Sequence, residues 1–230
     1  MAVYINTTAK RVIFGTGAQY AVSSALSCSC WFKLDNNTND RYLGGRWVST
    51  NGYRCWLVYI LTDAYPYFIV SSNGTTTTAI KATNSTITAG AWNHVSCRYD
   101  GAYLYLWLNG VEAAVPKAYT AGIYTTSLTA VAIGSISGAL DIYAATGSIF
   151  DFRMYNRSLS DAECAELYAA QGRDSILDSS MVLRTCIKNG YTGNSLTGQI
   201  VHDHSIYKGT ASPTGPTVAA DPFITVKPPM

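Results

Sequence analysis

The chain has 230 residues, of which 13% are charged, and a net charge of +2. That length buries a real core without staples, while the scattered lysines and arginines lack the clustered basic patch that nucleic acid requires. No apolar run approaches the roughly 20 residues of a membrane helix, so neither nucleic acid nor a bilayer is an expected partner.

The 17 tyrosines fit two readings. Tyrosine gives contact area at low entropy cost at interfaces, and it is also a good strand former. Along the chain, Val12 and Phe14, then Tyr20 and Val22, read as two short edge segments around the turn Gly15–Gly17. In the next stretch Leu26, Cys28, Cys30 and Phe32 alternate with Ser27, Ser29, Trp31 and Lys33, the period of a strand. Asp35 to Asp40 is a polar loop, and Tyr42 to Val48 is a strand interrupted at Gly44-Gly45. Asn51-Gly52, Asn73-Gly74, Asp100-Gly101 and Asn109-Gly110 are hairpin signals between strands at 53–61, 65–71, 75–80, 92–99, 103–108 and 111–115. Strands about every ten residues with turns between them mark a sandwich or barrel.

Gly147 to Tyr155 reads as a further strand, with Ile149 and Asp151 alternating with Phe150 and Phe152. Ser160-Asp-Ala-Glu163 is a capping box that opens one helix, with Cys164, Leu167 and Tyr168 as its apolar stripe and Gly172 as its close. After 172 the texture changes. Met181 to Ile187 offers one more strand, and the rest is rich in Gly, Thr, Ser and Pro. The expected organisation is a sandwich over 1–172 and an extended arm with little regular structure over 173–230.

Six cysteines occur, at 28, 30, 55, 97, 164 and 186. Cys28, Cys30 and Cys97 sit where small core residues belong, and no Cys-x-x-Cys pair suggests zinc. They read as reduced core thiols made in a reducing compartment. Met1 to Lys10 has no basic segment followed by an apolar one, so no standard secretory leader is expected.

Three stretches in order resemble the laminin-G-like (concanavalin-A-like) family. They are Ser27 to Leu34; Ala91-Trp-Asn-His-Val-Ser-Cys-Arg-Tyr-Asp-Gly101 followed by Tyr103 to Val111; and Gly147 to Glu163 with its Tyr155-Asn-Arg-Ser-Leu159 turn. The resemblance covers roughly 1–172. It implies an all-β concanavalin-A-like jelly roll of two antiparallel sheets, one short C-terminal helix and an extended arm. Val201-His-Asp-His-Ser205 and the proline-rich stretch after it resemble C-terminal extensions of such domains in bacteriophage and environmental virus proteins.

The candidate chemistry is sparse. Tyr103, Tyr105 and Trp107 alternate with Leu104, Leu106 and Leu108, so with the leucines in the core the aromatic row faces outward. It is then either a sugar-stacking platform or a stripe covered by loops or the arm. His202 and His204 flank Asp203, and on a strand share a face that could hold a metal; otherwise they are loop histidines. The resemblance implies calcium at the rim in many such domains, for which Asp100 and Asp141 are the candidates, although Asp100 also has an ordinary Asp-Gly turn role. Glutamate occurs only at 112, 163 and 166, so the Glu-x-Asp-x-x-Glu pattern of glucanases on this fold is missing. No nucleophile elbow is present either, and no catalytic role is expected.

Two functions follow. One is a virion structural protein (capsid decoration, fibre or tail accessory subunit), assembled in a host cytoplasm and partnered by copies of itself, other virion subunits and host surface glycans. The other is a carbohydrate-binding module or lectin.

Overall fold

The computed structural model describes residues 2–5, 11–49, 52–137, 143–185, 201–202, 210–214 and 217–219, with side chains between 11 and 185. The strands are β1 (Ala2–Ile5), β2 (Arg11–Gly15), β3 (Leu26–Leu34), β4 (Arg41–Trp47), β5 (Arg54–Ile60), β6 (Pro66–Ser71), β7 (Thr77–Lys81), β8 (Asn93–Tyr99) and β9 (Tyr103–Leu108). After them come β10 (Val111–Glu112), β11 (Lys117–Ala118), β12 (Val131–Ile133), β13 (Gly147–Tyr155), the helix α1 (Asp161–Ala170), β14 (Met181–Thr185), β15 (Val201–His202), β16 (Thr210–Thr214) and β17 (Thr217–Ala219).

These strands form two sheets. The first runs β10-β9-β8-β3-β13-β1-β17, with β11 also on β9 and β14 also on β13; the second runs β15-β16-β2-β12-β4-β5-β6-β7. All the strand pairs are antiparallel, and the jelly-roll expectation is met. One core lies between the sheets. Leu26, Phe32, Leu104 and Leu106 face it from the first sheet, and Leu43, Trp56, Phe68 and Val70 from the second. Alternation does this work: in β9 the leucines are 0–2% exposed while their aromatic neighbours point away.

Three local readings change. The segment at 11–15 is no edge, because β2 is flanked by β12 and β16. The residues around Tyr20 form a short 3-10 turn, Ala18–Tyr20. The helix is N-capped by Ser160 in a full capping box, but the left-handed residue at its C-terminus is Gln171, with φ 51°, ahead of Gly172.

Beyond 172 the chain returns to the sandwich. β14 pairs with β13 from Phe152 to Tyr155, and all five of its residues are buried. β16 lies along β2, and β17 along β1. Pro213, which cannot donate to a ladder, sits opposite Val12, past the end of the β15 pairing.

Helix α1 and the loop after it cover the outer face of the first sheet. Cys164 and Leu167 pack with Tyr155, Leu159 and Met181. β13 is therefore buried on both faces along all nine residues. Asp151 breaks its alternation, taking φ 49° at a bulge where the register against β3 shifts between Phe150 and Arg153. Its carboxylate lies between two arginines. Arg153 Nε donates to one oxygen at 2.8 Å and Arg184 Nε to the other at 2.9 Å. Both guanidiniums then reach the loop: Arg153 donates to the Arg173 carbonyl at 2.7 Å, and Arg184 to the Gly172 carbonyl at 3.1 Å. The ion cluster ties the helix-closing loop to the sheet.

Candidate functional site

The aromatic row on β9 is the surface that sequence periodicity points to, and the structure divides it in two. Trp107 packs against Tyr155, Leu159, Cys164, Leu167 and Met181, so helix α1 and its flanks cover that end of the row. Tyr103 is open: at 44% exposure it is the most exposed aromatic ring among the described residues. Tyr105 stands between them, half-buried, its ring centroid 6.3 Å from that of Tyr103 at an interplanar angle of 55°.

The Asp100-Gly101 hairpin positions this open end. Asp100 Oδ1 accepts from the Ala102 N–H at 2.8 Å and the Tyr103 N–H at 2.7 Å, and Oδ2 accepts from the Tyr105 hydroxyl at 2.9 Å. Burial opposes ionisation of Asp100, but these bonds and nearby Arg98 outweigh it and hold the carboxyl below its usual range. From the neighbouring strand β8, the Arg98 guanidinium lies 4.0 Å over the Tyr105 ring. Arg98 also donates to the Leu159 carbonyl and pairs with Asp161 in the first turn of α1. Tyr105 is thus locked on one face and at its hydroxyl, while Tyr103 has neighbours that leave it in solvent.

Of the metal candidates, only Asp100 has a described side chain. Both Asp100 oxygens accept hydrogen bonds, one from the turn backbone and the other from the Tyr105 hydroxyl of β9. Asp141 and His204 lie outside the described residues, and of His202 only the backbone, in β15, is described. Among the described residues no three His, Cys, Asp or Glu side chains are grouped to hold a metal ion.

Periodicity within strands misses a second aromatic feature, because it exists only across strands. Register places Tyr42 opposite Tyr59, Tyr59 opposite Tyr67 and Tyr67 opposite Lys81 on the outer face of the second sheet. Tyr59 and Tyr67 stack with centroids 5.1 Å apart, and Tyr42 meets Tyr59 edge-on at 6.0 Å. Lys81 Nζ caps the ladder 5.5 Å from the Tyr67 ring and pairs with Asp63 at 2.8 Å. The ring faces of this ladder are spent on one another, which suits packing better than sugar stacking. Beyond Lys81, a groove of about 400 Å³ separates β7 from the 114–117 segment. Lys117 Nζ spans it to the Ala79 carbonyl at 2.8 Å, guarding the edge strand as charged side chains do.

His94, the histidine of the central strand, is buried. Its ring centroid is 5.0 Å from that of Trp31 and 5.9 Å from that of Tyr168. Burial, against a smaller opposite pull from Asp151, drives its pKa down to about 3. The glutamates do not form a catalytic pair. Glu163 is engaged by the capping box and Arg157, and Glu112 and Glu166 are exposed on β10 and α1.

Comparison with known proteins follows this geometry. The family model described as the concanavalin A-like lectin/glucanases superfamily matches residues 6–165. No curated protein matches the sequence. A candidate carbohydrate-binding protein from Bacteroides ovatus ATCC 8483 superposes with a TM-score of 0.67 at 15% identity, over 94% of this chain. This chain spans 58% of that protein's chain. The CBM40 of the Ruminococcus gnavus IT-sialidase, bound to α2,3 sialyllactose, gives 0.60 at 16% identity over 73% of this chain and 96% of its own. The heptameric SAP-like pentraxin of Limulus polyphemus gives 0.58 at 16% identity over 75% and 83%. At these identities the likeness is one of fold, and the fold is lectin-like.

Proposed function

Because this chain belongs to the concanavalin A-like lectin/glucanases superfamily, we propose that it is a non-catalytic glycan-binding domain whose contact surface is the open end of the β9 row, Tyr103 with Tyr105. The observation that carries the reading is the exposure of Tyr103 beside a Tyr105 that Arg98 and Asp100 hold rigid. A pre-positioned aromatic pair meets the apolar face of a sugar ring without an ordering cost at binding. Support also comes from proteins that share the fold and carry sugars in their structures, such as the R. gnavus CBM40 with sialyllactose. The placement of the glutamates and the double ion pairing of Asp151 favour binding over hydrolysis, since hydrolysis needs two carboxylates across one cleft.

A glycan array on the purified chain, followed by calorimetry, tests this. Binding in the millimolar to micromolar range that Tyr103→Ala abolishes is the expected result. Retained binding in that variant moves the site elsewhere, and no binding to any glycan removes the reading.

A second reading, that many copies of the domain coat a virion, is favoured by the use made of the C-terminal strands. β16 on β2 and β17 on β1 are strands that the tail of an adjacent copy can supply in the same register. Light scattering on the full chain and on a variant lacking 201–230, with immunolabelling of purified particles, tests it. A monomer in both forms and unlabelled particles remove it.

A further inference from the structure

Resting on the glycan-binding reading, we infer that the Tyr103–Tyr105 surface takes uncharged sugar chains and turns away glycans that carry carboxylate or sulfate groups. The argument is the balance of charge on the outer face of the first sheet. Three carboxylates lie along the row, at its open end or toward its covered one. Asp100 sits in the hairpin next to Tyr103 and bonds the Tyr105 hydroxyl. Asp161 lies beyond Arg98 in the first turn of α1, its side chain 69% exposed. Glu112 is exposed on β10, opposite Trp107 in register.

The cations near this face are spent or turned away. Arg98 is 12% exposed at its side chain and engaged at both terminal nitrogens, with the Leu159 carbonyl accepting from one, Asp161 pairing with the other and the Tyr105 ring against the guanidinium. Lys117 is on the adjoining strand β11, but it opposes Leu104, a core-facing residue. Side chains opposite one another in a ladder share a face, so Lys117 leaves toward the other side of the sheet, where its ammonium bonds the Ala79 carbonyl. The residue that does flank Tyr103 on the outer face is Ala118, small and uncharged. Three carboxylates and one guanidinium, which Asp161 neutralises, leave this face net negative through Asp100 and Glu112. Among the described residues, a sugar stacking on Tyr103 meets no unpaired cation that could take an anionic substituent, and the net negative charge of this face repels one.

The experiment compares matched glycans: neutral lacto- and gluco-oligosaccharides and their sialylated or sulfated counterparts, by array and calorimetry, at about 0.05 and 0.5 M NaCl. Wild type, Tyr103→Ala and the double variant Glu112→Gln/Asp161→Asn are measured, with circular dichroism to confirm folding. The expected result is neutral binding at least about tenfold tighter than anionic binding at low salt. That gap narrows in high salt, where screening shortens the reach of charge to a few Å, and it narrows in the double variant. Equal or tighter binding of the anionic glycans, lost in Tyr103→Ala, overturns the inference and leaves the glycan-binding reading standing. A gap indifferent to salt and to the double variant also overturns it, since charge is then not its cause. Binding that survives Tyr103→Ala, or no binding at all, overturns both.

Discussion

Tyr168, on the helix, lies stacked on Trp31, on the central strand of the first sheet, with ring centroids 5.3 Å apart and planes inclined by 22°. Trp31 is 4% exposed although its side chain is on the outer face of the sheet, and the helix residue shelters it together with Phe150, Trp92 and His94. Tyr168→Ala is expected to cost about 1–3 kcal/mol, from the lost ring area and the aromatic pair. Urea denaturation followed by tryptophan fluorescence measures it, and a red-shifted native emission should accompany the loss. An unchanged midpoint means the helix is held by Cys164 and Leu167 alone.

Asp151 is the centre of a buried arrangement of two arginines, with Arg153 at 1% and Arg184 at 5% exposure. Asp151→Ala leaves two guanidiniums facing one another in the interior. Removing one partner of a buried ion pair costs about 3–5 kcal/mol, so the variant is expected to unfold at a much lower urea midpoint or to be insoluble. A midpoint close to wild type rejects the ion cluster as the tie between loop and sheet.

Acid is expected to destabilise the fold in two overlapping windows. The pKa of His94 is about 3 in the folded chain, lowered by burial, against about 6.5 in an unfolded one. The unfolded state therefore binds a proton first, and stability falls as pH drops from about 6.5 toward 3, with a slope approaching about 1.4 kcal/mol per pH unit. Glu163 is held at about 2 chiefly by its bonds from Arg157, with burial opposing and the Ser160 N–H adding to them. Its contribution is present above the unfolded carboxylate range and is lost as pH falls toward 2. Stability curves of His94→Gln should be flatter between pH 6.5 and 4.5, and those of Glu163→Gln flatter below 4.5. An unaltered slope in the first variant shows that His94 is not neutral by burial.

The thiols offer a simple check on the core. Cys28, Cys30, Cys55, Cys97 and Cys164 are buried and free, and the Cys28 and Cys97 Sγ atoms face each other at 2.9 Å as a register pair of β3 and β8. Five of the six cysteines of the sequence should resist a thiol reagent such as DTNB in the native protein and react when it is denatured under anaerobic conditions. Fast native reaction of more than one thiol contradicts the packing.

What the sequence made legible is what local rules control. The alternation of β9, the glycine hairpins at 73–74, 100–101 and 109–110 and the Ser160 capping box each depend on residues within a few positions, and each appears as read, while Asn51 lies outside the described residues. What it hid depends on register and on distant segments. Trp107 looked equivalent to Tyr103 and Tyr105, yet residues 155–181 fold back over it alone. The alternation of Ile149 with Asp151 ran through a bulge that only the pairing with β3 shows. The Tyr42–Tyr59–Tyr67 ladder draws one residue from each of three strands, so no window of sequence contains it. Segment 11–15 read as an edge because the strand that flanks it comes from residues 210–214, almost two hundred positions away.

Register places Ala2 directly opposite Ala219 across the β1–β17 pair, which puts the two positions about 5 Å apart at their Cα atoms. Any polypeptide attached before the one or after the other departs from a single spot on the domain. The sandwich can therefore be held from one spot, with β9 toward the opposite end of the first sheet's strand order. A linker of a few residues across that spot would close the chain into a ring and allow new ends to be opened at an exposed loop such as 35–39.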